Sequence, residues 1–324
     1  MITSLHLRNF KRFESLDVSE FTKVNLLAGK NNCGKTGLLE ALQLACSDDE
    51  PKKVATSFRL TEGVDELARI DQWFGHEGLP KWLVAARDPT PWKPIYFRAS
   101  HLDDNDVDLL SGWAGSRDSD RGALNLGGGL GNFSGGAIPL NVKTVPSWPL
   151  RPSEEASEFE KMILRDDTEE KLEDLLRKVE PRIKSVRSLQ PNSHRVLFAQ
   201  LDFGRRIPLS LLGQGVMKLT SIFTRCLGAK ADILLIDEIE NGLHHGALIE
   251  LWKGLKELSD KEGTQIFATT HSMECIAAAS QVFGAGPDAG LSFHRIEDVK
   301  GVPTAISIDA ARLASMLEIG FEIR

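Results

Sequence analysis

The segment from Gly29 to Thr36, GKNNCGKT, constrains the fold more than any other, because it fits the pattern G-x-x-x-x-G-K-[ST]. Glycines in this pattern let a loop curl so that its backbone N–H groups point at phosphate oxygens. An apolar run, Phe21–Ala28, precedes the loop, and leucines at helical spacing follow from Lys35 onward. The sequence therefore predicts a strand, a glycine-containing loop and a helix, which is the context that a phosphate-binding loop needs.

Each part of this loop has a predicted role in binding a phosphate chain. The helix that starts after Gly34 directs the positive end of its dipole at the phosphates. Lys35 reaches the β- and γ-phosphates, and the hydroxyl of Thr36 binds Mg²⁺. The residues predicted to contact the nucleotide phosphates are Gly29, Asn31, Asn32, Cys33, Gly34, Lys35 and Thr36.

A second motif ends in two acids. Residues 233–236, ILLI, are a short apolar run between acidic residues, which is typical of a central parallel strand buried on both faces. Asp237 and Glu238 follow at the carboxyl end of this strand, where open α/β sheets bind their ligands. We expect Asp237 to hold Mg²⁺ and Glu238 to orient or deprotonate an attacking water.

Two further segments each allow two interpretations. His271 follows an apolar strand at 264–270, and it either donates a hydrogen bond to the γ-phosphate or is a simple strand-end histidine. The segment Ser210–Gly215 opens a helix, which would place a serine and exposed amides at the helix N-terminus, so it is either a second anion-binding element or a plain capped helix. His244 and His245 look like a metal pair, but adjacent helical residues point about 100° apart, which disfavours joint chelation.

Composition limits the class of protein. Acidic residues outnumber basic ones 46 to 39, so no overall basic excess indicates a polyanion-binding surface. The composition is still compatible with a local basic groove. Four cysteines without CxxC spacing disfavour a disulfide framework or a structural zinc site and favour a reducing cytosol. The charged N-terminus and the lack of an apolar run near 18–20 residues predict neither a signal peptide nor a membrane span. We therefore expect a cytoplasmic protein.

The remaining elements follow from hydrophobic periodicity. Strands are predicted at residues 2–7, 94–98, 195–201 and 207–209, and two amphipathic helices within 153–180. Seven glycines within residues 122–136 predict a flexible excursion of the chain.

Taken in order, the phosphate loop, the serine-glycine segment, the Asp-Glu strand end and the histidine resemble the ABC-type ATPases of the SMC, RecF and OLD group. The segments LLGQGVMKL, LLIDEIENGLHH and FATTHSMECI are most similar to stand-alone OLD-like ATPases, and the opening LHLRNFKRF resembles their first strand. The resemblance covers about residues 1–45 and 195–280.

The resemblance implies an α/β fold: a P-loop NTPase of ABC-ATPase type, with a central mixed or parallel sheet flanked by helices and an inserted helical subdomain. Residues 1–324 would form a single ATPase head. Its predicted parts are an N-terminal lobe with the phosphate loop, an insertion with the glycine-rich loop and helices, and a C-terminal lobe with the remaining motifs, at residues 1–100, 101–195 and 196–324.

For function, the resemblance implies an ATP- and Mg²⁺-dependent ATPase whose two heads associate with each nucleotide between them. By position, Ser210, Gly213 and Gly215 would contact the γ-phosphate bound to the other subunit, and Asn241 would lie in a loop that faces it. The adenine and ribose would be held by Arg8, Asn9 and Lys11. The resemblance leaves higher-order assembly and DNA binding undecided. The basic clusters that could bind DNA are Arg182, Lys184 and Arg187, and Arg205 and Arg206.

The sequence departs from the group in three places. Leu212 replaces the first of two adjacent glycines, and the glutamine that senses Mg²⁺ is not evident; Ser100 or His101 is suggested instead. Only 53 residues follow His271, fewer than a TOPRIM nuclease needs, so a separate effector, a nuclease or a toxin, is expected. The expected role is the ATPase sensor of an anti-phage or DNA-maintenance system; the alternatives are the motor subunit of a membrane transporter and an ATP-binding scaffold with little turnover.

Overall fold

The computed structural model describes residues 1–10, 12–46, 57, 95–101, 111–114, 140–191, 193–286, 288–320 and 323. Its strands are β1 Ile2–Phe10, β2 Phe13–Ser19, β3 Val24–Ala28, β4 Ile95–His101, β5 Ser111–Ala114, β6 Val142–Val145, β7 Ile183–Leu189, β8 Val196–Leu201, β9 Arg206–Pro208, β10 Ile233–Ile236, β11 Gln265–Thr270, β12 Leu291–Val299 and β13 Val302–Asp309. Its α-helices are α1 Lys35–Cys46, α2 Pro152–Met162, α3 Thr168–Val179, α4 Gln214–Ala229, α5 His245–Glu262, α6 Met273–Phe283 and α7 Ala310–Glu318. The predicted glycine-rich excursion at 122–136 lies outside the described residues.

A six-stranded mixed sheet organises the structure. Its strand order is β13-β12-β3-β11-β10-β6, in which β13 runs antiparallel to β12 and the other neighbouring pairs are parallel. The strand β10 lies between β11 and β6, which confirms that the apolar run at 233–236 forms an internal parallel strand. The carboxyl ends of β3, β10 and β11 meet at one edge, and the phosphate loop, the two acids and His271 follow these three ends.

The internal strands bury both faces. Along β10, Leu234 and Ile236 pack into one hydrophobic cluster, and Ile233 and Leu235 pack into a second cluster on the opposite face. Helix α4 belongs to the first cluster, whereas α1 belongs to the second. This alternation explains why a strand with no polar residue is stable only inside the sheet, covered on both sides.

A second sheet closes the cluster around α1. It has the order β2-β1-β4-β5, and each neighbouring pair is antiparallel. Leu5 and Leu7 of β1 are fully buried in the same cluster as Leu38, Leu39 and Leu42 of α1. The helix that follows the phosphate loop is therefore held between two sheets.

The small antiparallel sheet β7-β8-β9 and the helices α2 and α3 complete the other side. Phe159 and Met162 of α2, and Leu172 and Leu176 of α3, are buried in the same cluster as α4. The predicted division between residues 101–195 and 196–324 stays a prediction, and β7 and β8 are hydrogen-bonded to each other across it.

The strands predicted from periodicity are confirmed in the described residues, as are α1, α2 and α3. Within the described part of the chain, no helix combines the length and apolar character that crossing a membrane requires.

Candidate functional site

Two glycines are required by the shape of the phosphate loop. Gly29 has φ +149°, and a Cβ atom added to it would lie 2.3 Å from the carbonyl oxygen of Ile296 in β12. Gly34 has φ +104°, and its Cβ would lie 2.3 Å from the Phe13 ring. Because any side chain would meet both backbone strain and a close neighbour, the loop can follow this path only with glycine at these positions.

The loop places a cation beside the start of α1. Lys35 Nζ donates hydrogen bonds to the carbonyl oxygens of Gly29 (2.7 Å) and Lys30 (3.1 Å), so its amine lies within the loop. Asn31 and Asn32 are exposed, whereas the Cys33 side chain is buried beneath Gly29. The first N–H groups of a helix lack acceptors within the helix, so the start of α1 provides donors and a positive dipole end for an anion.

Asp237 connects the loop to the sheet. Its carboxylate accepts hydrogen bonds from Thr36 Oγ1, at 3.1 and 3.2 Å, and from Thr269 Oγ1 in β11, at 2.6 Å. Burial raises the pKa of Asp237, and the hydrogen bonds from Thr269 and Thr36 act in the opposite direction. The structure thus brings together the two residues that the sequence predicts as metal ligands.

These two residues fit a magnesium ion. Mg²⁺ prefers oxygen ligands and is commonly held by one or two protein groups together with phosphate oxygens. The Thr36 hydroxyl and a desolvated carboxylate, only 4% exposed at Asp237, meet that requirement at the mouth of the phosphate loop. Bound there, the ion would neutralise phosphate charge.

Glu238 has an unusual backbone conformation. Its φ is +44°, which is rare for a residue with a side chain. Its Oε2 accepts a hydrogen bond from Asn241 Nδ2 at 2.8 Å, and the same amide group donates to the carbonyl oxygen of Ser147 at 3.1 Å. The side chain is half-buried, so it is both oriented and open to solvent. This arrangement suits a group that handles a water molecule.

His271 is held by a carboxylate that the sequence analysis did not single out. Glu240 Oε1 accepts from the backbone N–H of His271 at 2.8 Å and lies 3.0 Å from its Nδ1. A carboxylate oxygen only accepts, so this contact assigns the proton of the neutral imidazole to Nδ1 and makes Nε2 a hydrogen-bond acceptor. The His271 side chain is 49% exposed, whereas that of Glu240 is 9% exposed.

The serine-glycine segment differs in detail from the prediction. Residues Leu209–Leu212 form a 3₁₀ turn, and Gly213, with φ +105°, is the N-cap of α4. Ser210 therefore lies in the turn before the helix rather than at its N-terminus. Ser210 and Gly213 are exposed, and Gly215 packs against Gly242, whose oxygen would lie 2.6 Å from an added Cβ.

Several predicted site residues are not described in full. The side chains of Arg8 and Asn9, and all of Lys11, lie outside the described part of the chain, so their role stays a prediction. Ser100 and His101 end β4, where their backbones pair with β1, and their side chains likewise lie outside it.

A neighbouring cation, Arg12, was missed by the sequence analysis. Its Cδ would lie 2.9 Å from a Cβ on Gly34, and its guanidinium is 3.5 Å from Asp298 in β12. Arg12 therefore lies against the phosphate loop itself, which places a positive charge beside the predicted phosphate site.

The two adjacent histidines have different roles at the start of α5. His244 is the N-cap of α5 and accepts a hydrogen bond from the N–H of Ala247 through Nδ1, whereas His245 is the first helical residue. No group of three or more His, Cys, Asp or Glu side chains in the described residues is arranged to hold a metal.

Two of the basic residues considered for DNA binding are already paired. Arg182 binds Glu180, and Arg187 binds Glu169 and Glu173. These pairs reduce the positive charge that the group offers to a polyanion.

Two buried side chains contact the acids and were also missed. Lys218 of α4 donates from Nζ to the carbonyl oxygens of Asp237 (2.8 Å) and Pro146 (2.6 Å). Burial lowers its pKa to about 8, against the opposing effect of the nearby acids. Thr269 donates to Asp237 and accepts from the backbone N–H of Glu238 at 2.8 Å. A lysine inside the apolar pattern VMKLTSIF was the available signal for the first.

Comparison with known families identifies the chain. The family model described as the AAA ATPase domain matches residues 1–110 and 140–276, well over half of the chain. The chain belongs to the AAA ATPase domain family. This ATPase domain is 24% identical over 338 residues to an ATP/GTP phosphatase of Helicobacter pylori, covering 87% of the chain and 88% of that protein. It is also 36% identical over 75 residues to the DNA replication and repair protein RecF of Bacillus mycoides, covering 23% of the chain and 18% of RecF.

Solved structures with the same fold are heads of SMC proteins. One is an SMC head bound to the C-terminal winged-helix domain of ScpA, with a TM-score of 0.59, 15% identity, and coverage of 95% of this chain and 97% of that one. Another is an SMC head with an extended coiled coil, bound to the C-terminal domain of ScpA derived from Pyrococcus furiosus, with a TM-score of 0.58, 13% identity and 98% coverage of both. The AAA ATPase domain described here thus has a P-loop ABC-type ATPase fold, and it is an ATPase.

Proposed function

We propose that this protein hydrolyses ATP with Mg²⁺ and that ATP binding drives two heads to associate. The observation that supports hydrolysis most directly is the Asp237 carboxylate, which contacts Thr36 of the phosphate loop and Thr269 of β11 while Glu238 follows it in the chain. In this proposal Lys35 and the loop amides bind the phosphates, and Thr36 and Asp237 hold the ion. The loop residues Gly29, Asn31, Asn32, Cys33 and Gly34 form the cradle.

The proposed chemistry is positioning and charge neutralisation rather than covalent catalysis. Glu238 orients the attacking water and accepts its proton, and its hydrogen bond to Asn241 keeps the carboxylate in place. With its Nδ1 proton directed at Glu240, neutral His271 offers Nε2 as an acceptor to the attacking water, whereas donation to the γ-phosphate requires the imidazolium, in which Nε2 also carries a proton. Such preorganised groups need little rearrangement during the reaction.

Exposure of the segment before α4 supports a two-subunit site. Leu211 is 70% exposed although it is a large apolar residue, and in the described part of the chain no atom beyond the two neighbouring residues lies within 4 Å of a Cβ added to Gly213. In the proposed dimer this segment, with Ser210 and Gly215, contacts the nucleotide bound by the other subunit. ADP lacks the γ-phosphate, so this contact would be lost after hydrolysis.

The test is nucleotide-dependent dimerisation of Glu238→Gln, measured by light scattering after size exclusion. We expect this variant to bind ATP and Mg²⁺, to hydrolyse ATP slowly and to accumulate as a dimer. A Lys35→Ala, Glu238→Gln double variant is the matched control and should stay monomeric with ATP. A monomeric Glu238→Gln protein with bound ATP would refute the dimer, and wild-type turnover in Glu238→Gln would refute the catalytic role.

For the biological role, we infer an OLD-like ATPase sensor of an anti-phage or DNA-maintenance system that acts with a separate effector in the cytoplasm. Two observations support this: related folds are known as SMC heads in complex with ScpA, and the four cysteines are free buried thiols, which suits a reducing compartment. A pull-down from native cells should recover a nuclease or toxin together with the ATPase. Recovery of a membrane transporter instead would favour a motor subunit.

A further inference from the structure

The peptide group between Asp237 and Glu238 is held from both ends by side chains. Its carbonyl oxygen accepts from Lys218 Nζ at 2.8 Å, and its N–H donates to Thr269 Oγ1 at 2.8 Å. The plane of this peptide determines the direction in which both acidic side chains leave the backbone. This peptide also precedes Glu238, whose left-handed backbone conformation is rare unless the surrounding structure holds it in place.

Lys218 is costly to bury. Lys218 is only 7% exposed. Its neighbours on α4, Val216 and Leu219, are buried in the hydrophobic cluster that contains α4. Removing an ammonium group from water is unfavourable unless hydrogen bonds replace the lost solvation. Methionine has a similar length and would fill the same space without that cost. What lysine adds at this position is two directed hydrogen bonds, to the carbonyl oxygens of Asp237 and of Pro146, the residue that follows β6.

The same helix carries the exposed serine-glycine segment. Gly215 contacts Gly242 in the turn after Glu238, and Lys218, one helical turn later, contacts Asp237 at the start of that turn. The first two turns of α4 therefore contact residues 237–242, here called the acidic turn, at two points. A displacement of the segment Leu209–Gly215 would be transmitted to the peptide between the acids.

We propose that Lys218 and Thr269 are positioning residues that clamp the Asp237–Glu238 peptide, and that Lys218 thereby couples the start of α4 to the hydrolytic acids. This inference rests on the proposed role of Glu238. It assigns no contact with the nucleotide to either residue. The effect of Lys218 on the reaction passes through the direction of the Glu238 carboxylate, and that of Thr269 also passes through its hydrogen bond to the Asp237 carboxylate.

The experiment compares steady-state ATP hydrolysis in Lys218→Met and in Lys218→Met combined with Glu238→Gln. We expect kcat to fall about 10- to 100-fold in Lys218→Met, in the range found for residues that orient catalytic ligands, with KM for ATP changed less than about twofold. In the Glu238→Gln background, adding Lys218→Met should lower the residual rate less than about twofold, because both changes remove the same function.

Arg225→Met is the matched control. Arg225 is also a buried cation on α4, but it hydrogen-bonds to Ser221 and pairs with Glu155 rather than with the peptide between the acids. We expect this variant to lower the thermal midpoint while kcat stays near that of the wild type. A fall in the midpoint of Lys218→Met without a fall in kcat would show that Lys218 serves stability alone.

Thr269 keeps the proposal testable if Lys218→Met does not fold. Thr269→Val should lower kcat at least about tenfold, and Thr269→Ser, which retains the hydroxyl, should restore most of it. Wild-type turnover in Thr269→Val, or an equal loss from Lys218→Met with and without Glu238, would overturn the clamp. Wild-type turnover in Glu238→Gln would instead overturn the proposed function, so the two failures are distinguishable.

Discussion

Substitution of Gly215 by alanine should separate α4 from the acidic turn. Gly215 is the second residue of α4 and has no positive φ, so the backbone itself accepts alanine and only space decides the outcome. The added Cβ would lie 2.6 Å from Gly242 O, whereas ordinary contact begins at 3.4 Å, so the gap must widen by about 0.8 Å. The nearest atom, Gly242 O, is backbone and cannot rotate away, and the Leu243 side chain lies only 3.0 Å from the added Cβ.

The cost follows from this geometry. Forcing an extra carbon into a packed interface typically costs about 1–3 kcal/mol of unfolding free energy. We expect Gly215→Ala to lie in that range in a urea titration. Because the displaced turn holds Glu238 and Asn241, its ATPase rate should fall as well.

Gly246→Ala is the matched control. Gly246 is the second residue of α5, also without positive φ, and its Cβ would lie 3.4 Å from the His244 ring, an ordinary contact. The alanine there should leave stability unchanged or raise it by up to about 1 kcal/mol, since it reduces the entropy of the unfolded chain. A Gly215→Ala protein as stable and as active as Gly246→Ala would refute the close packing of α4 on the turn.

Three further outcomes are expected. Lys35→Ala should abolish binding of a fluorescent ATP analogue, whereas Lys30→Ala, which removes equal charge from an exposed position of the loop, should retain it. Thr36→Val should raise the Mg²⁺ concentration for half-maximal ATPase about tenfold or more, with little change in thermal midpoint. Burial lowers the pKa of His294 to about 3, so acid protonates the unfolded chain first; between pH 8 and 5.5 the wild type should lose about 1.4 kcal/mol more unfolding free energy than His294→Gln.

The phosphate loop and its strands were predictable because their signals are local. The glycines at 29 and 34, the apolar run at 233–236 and the strand before His271 each reveal their role within a few residues of sequence. Burial on both faces removes polar alternation, so a short apolar run between acids is a reliable sign of an internal parallel strand.

Strand β7 was missed for a physical reason. A register irregularity between Ile183 and Ser185 breaks its pairing with β8. As a result, its buried residues, Ile183 and Val186, are three apart, which is a helical spacing rather than the alternation of a regular strand. By contrast, β2 has alternating buried residues at Leu16 and Val18, so the sequence contained enough information to predict it.

The contacts of the site could not be predicted because they depend on register. Thr269 meets Asp237 because β10 pairs with β11 so that Ile236 lies beside Ala268. A shift of one residue would turn Thr269 to the opposite face of the sheet. Lys218 contacts the same acid from helix α4 and is 19 residues away in the chain. No local sequence pattern predicts such a contact.

The position of β10 explains why the acids contact elements on both faces of the sheet. Helix α1, which follows the phosphate loop, packs in the cluster on one face of the sheet, and α4 packs in the cluster on the other. Asp237 is bound by Thr36 of α1 through its carboxylate and by Lys218 of α4 through its backbone carbonyl. A packed core resists gradual deformation, so a shift of either helix relative to the sheet acts on Asp237 and Glu238 before it reaches the other helix. In the proposed mechanism, the two acids are therefore the place where nucleotide binding on one face would meet subunit contact on the other.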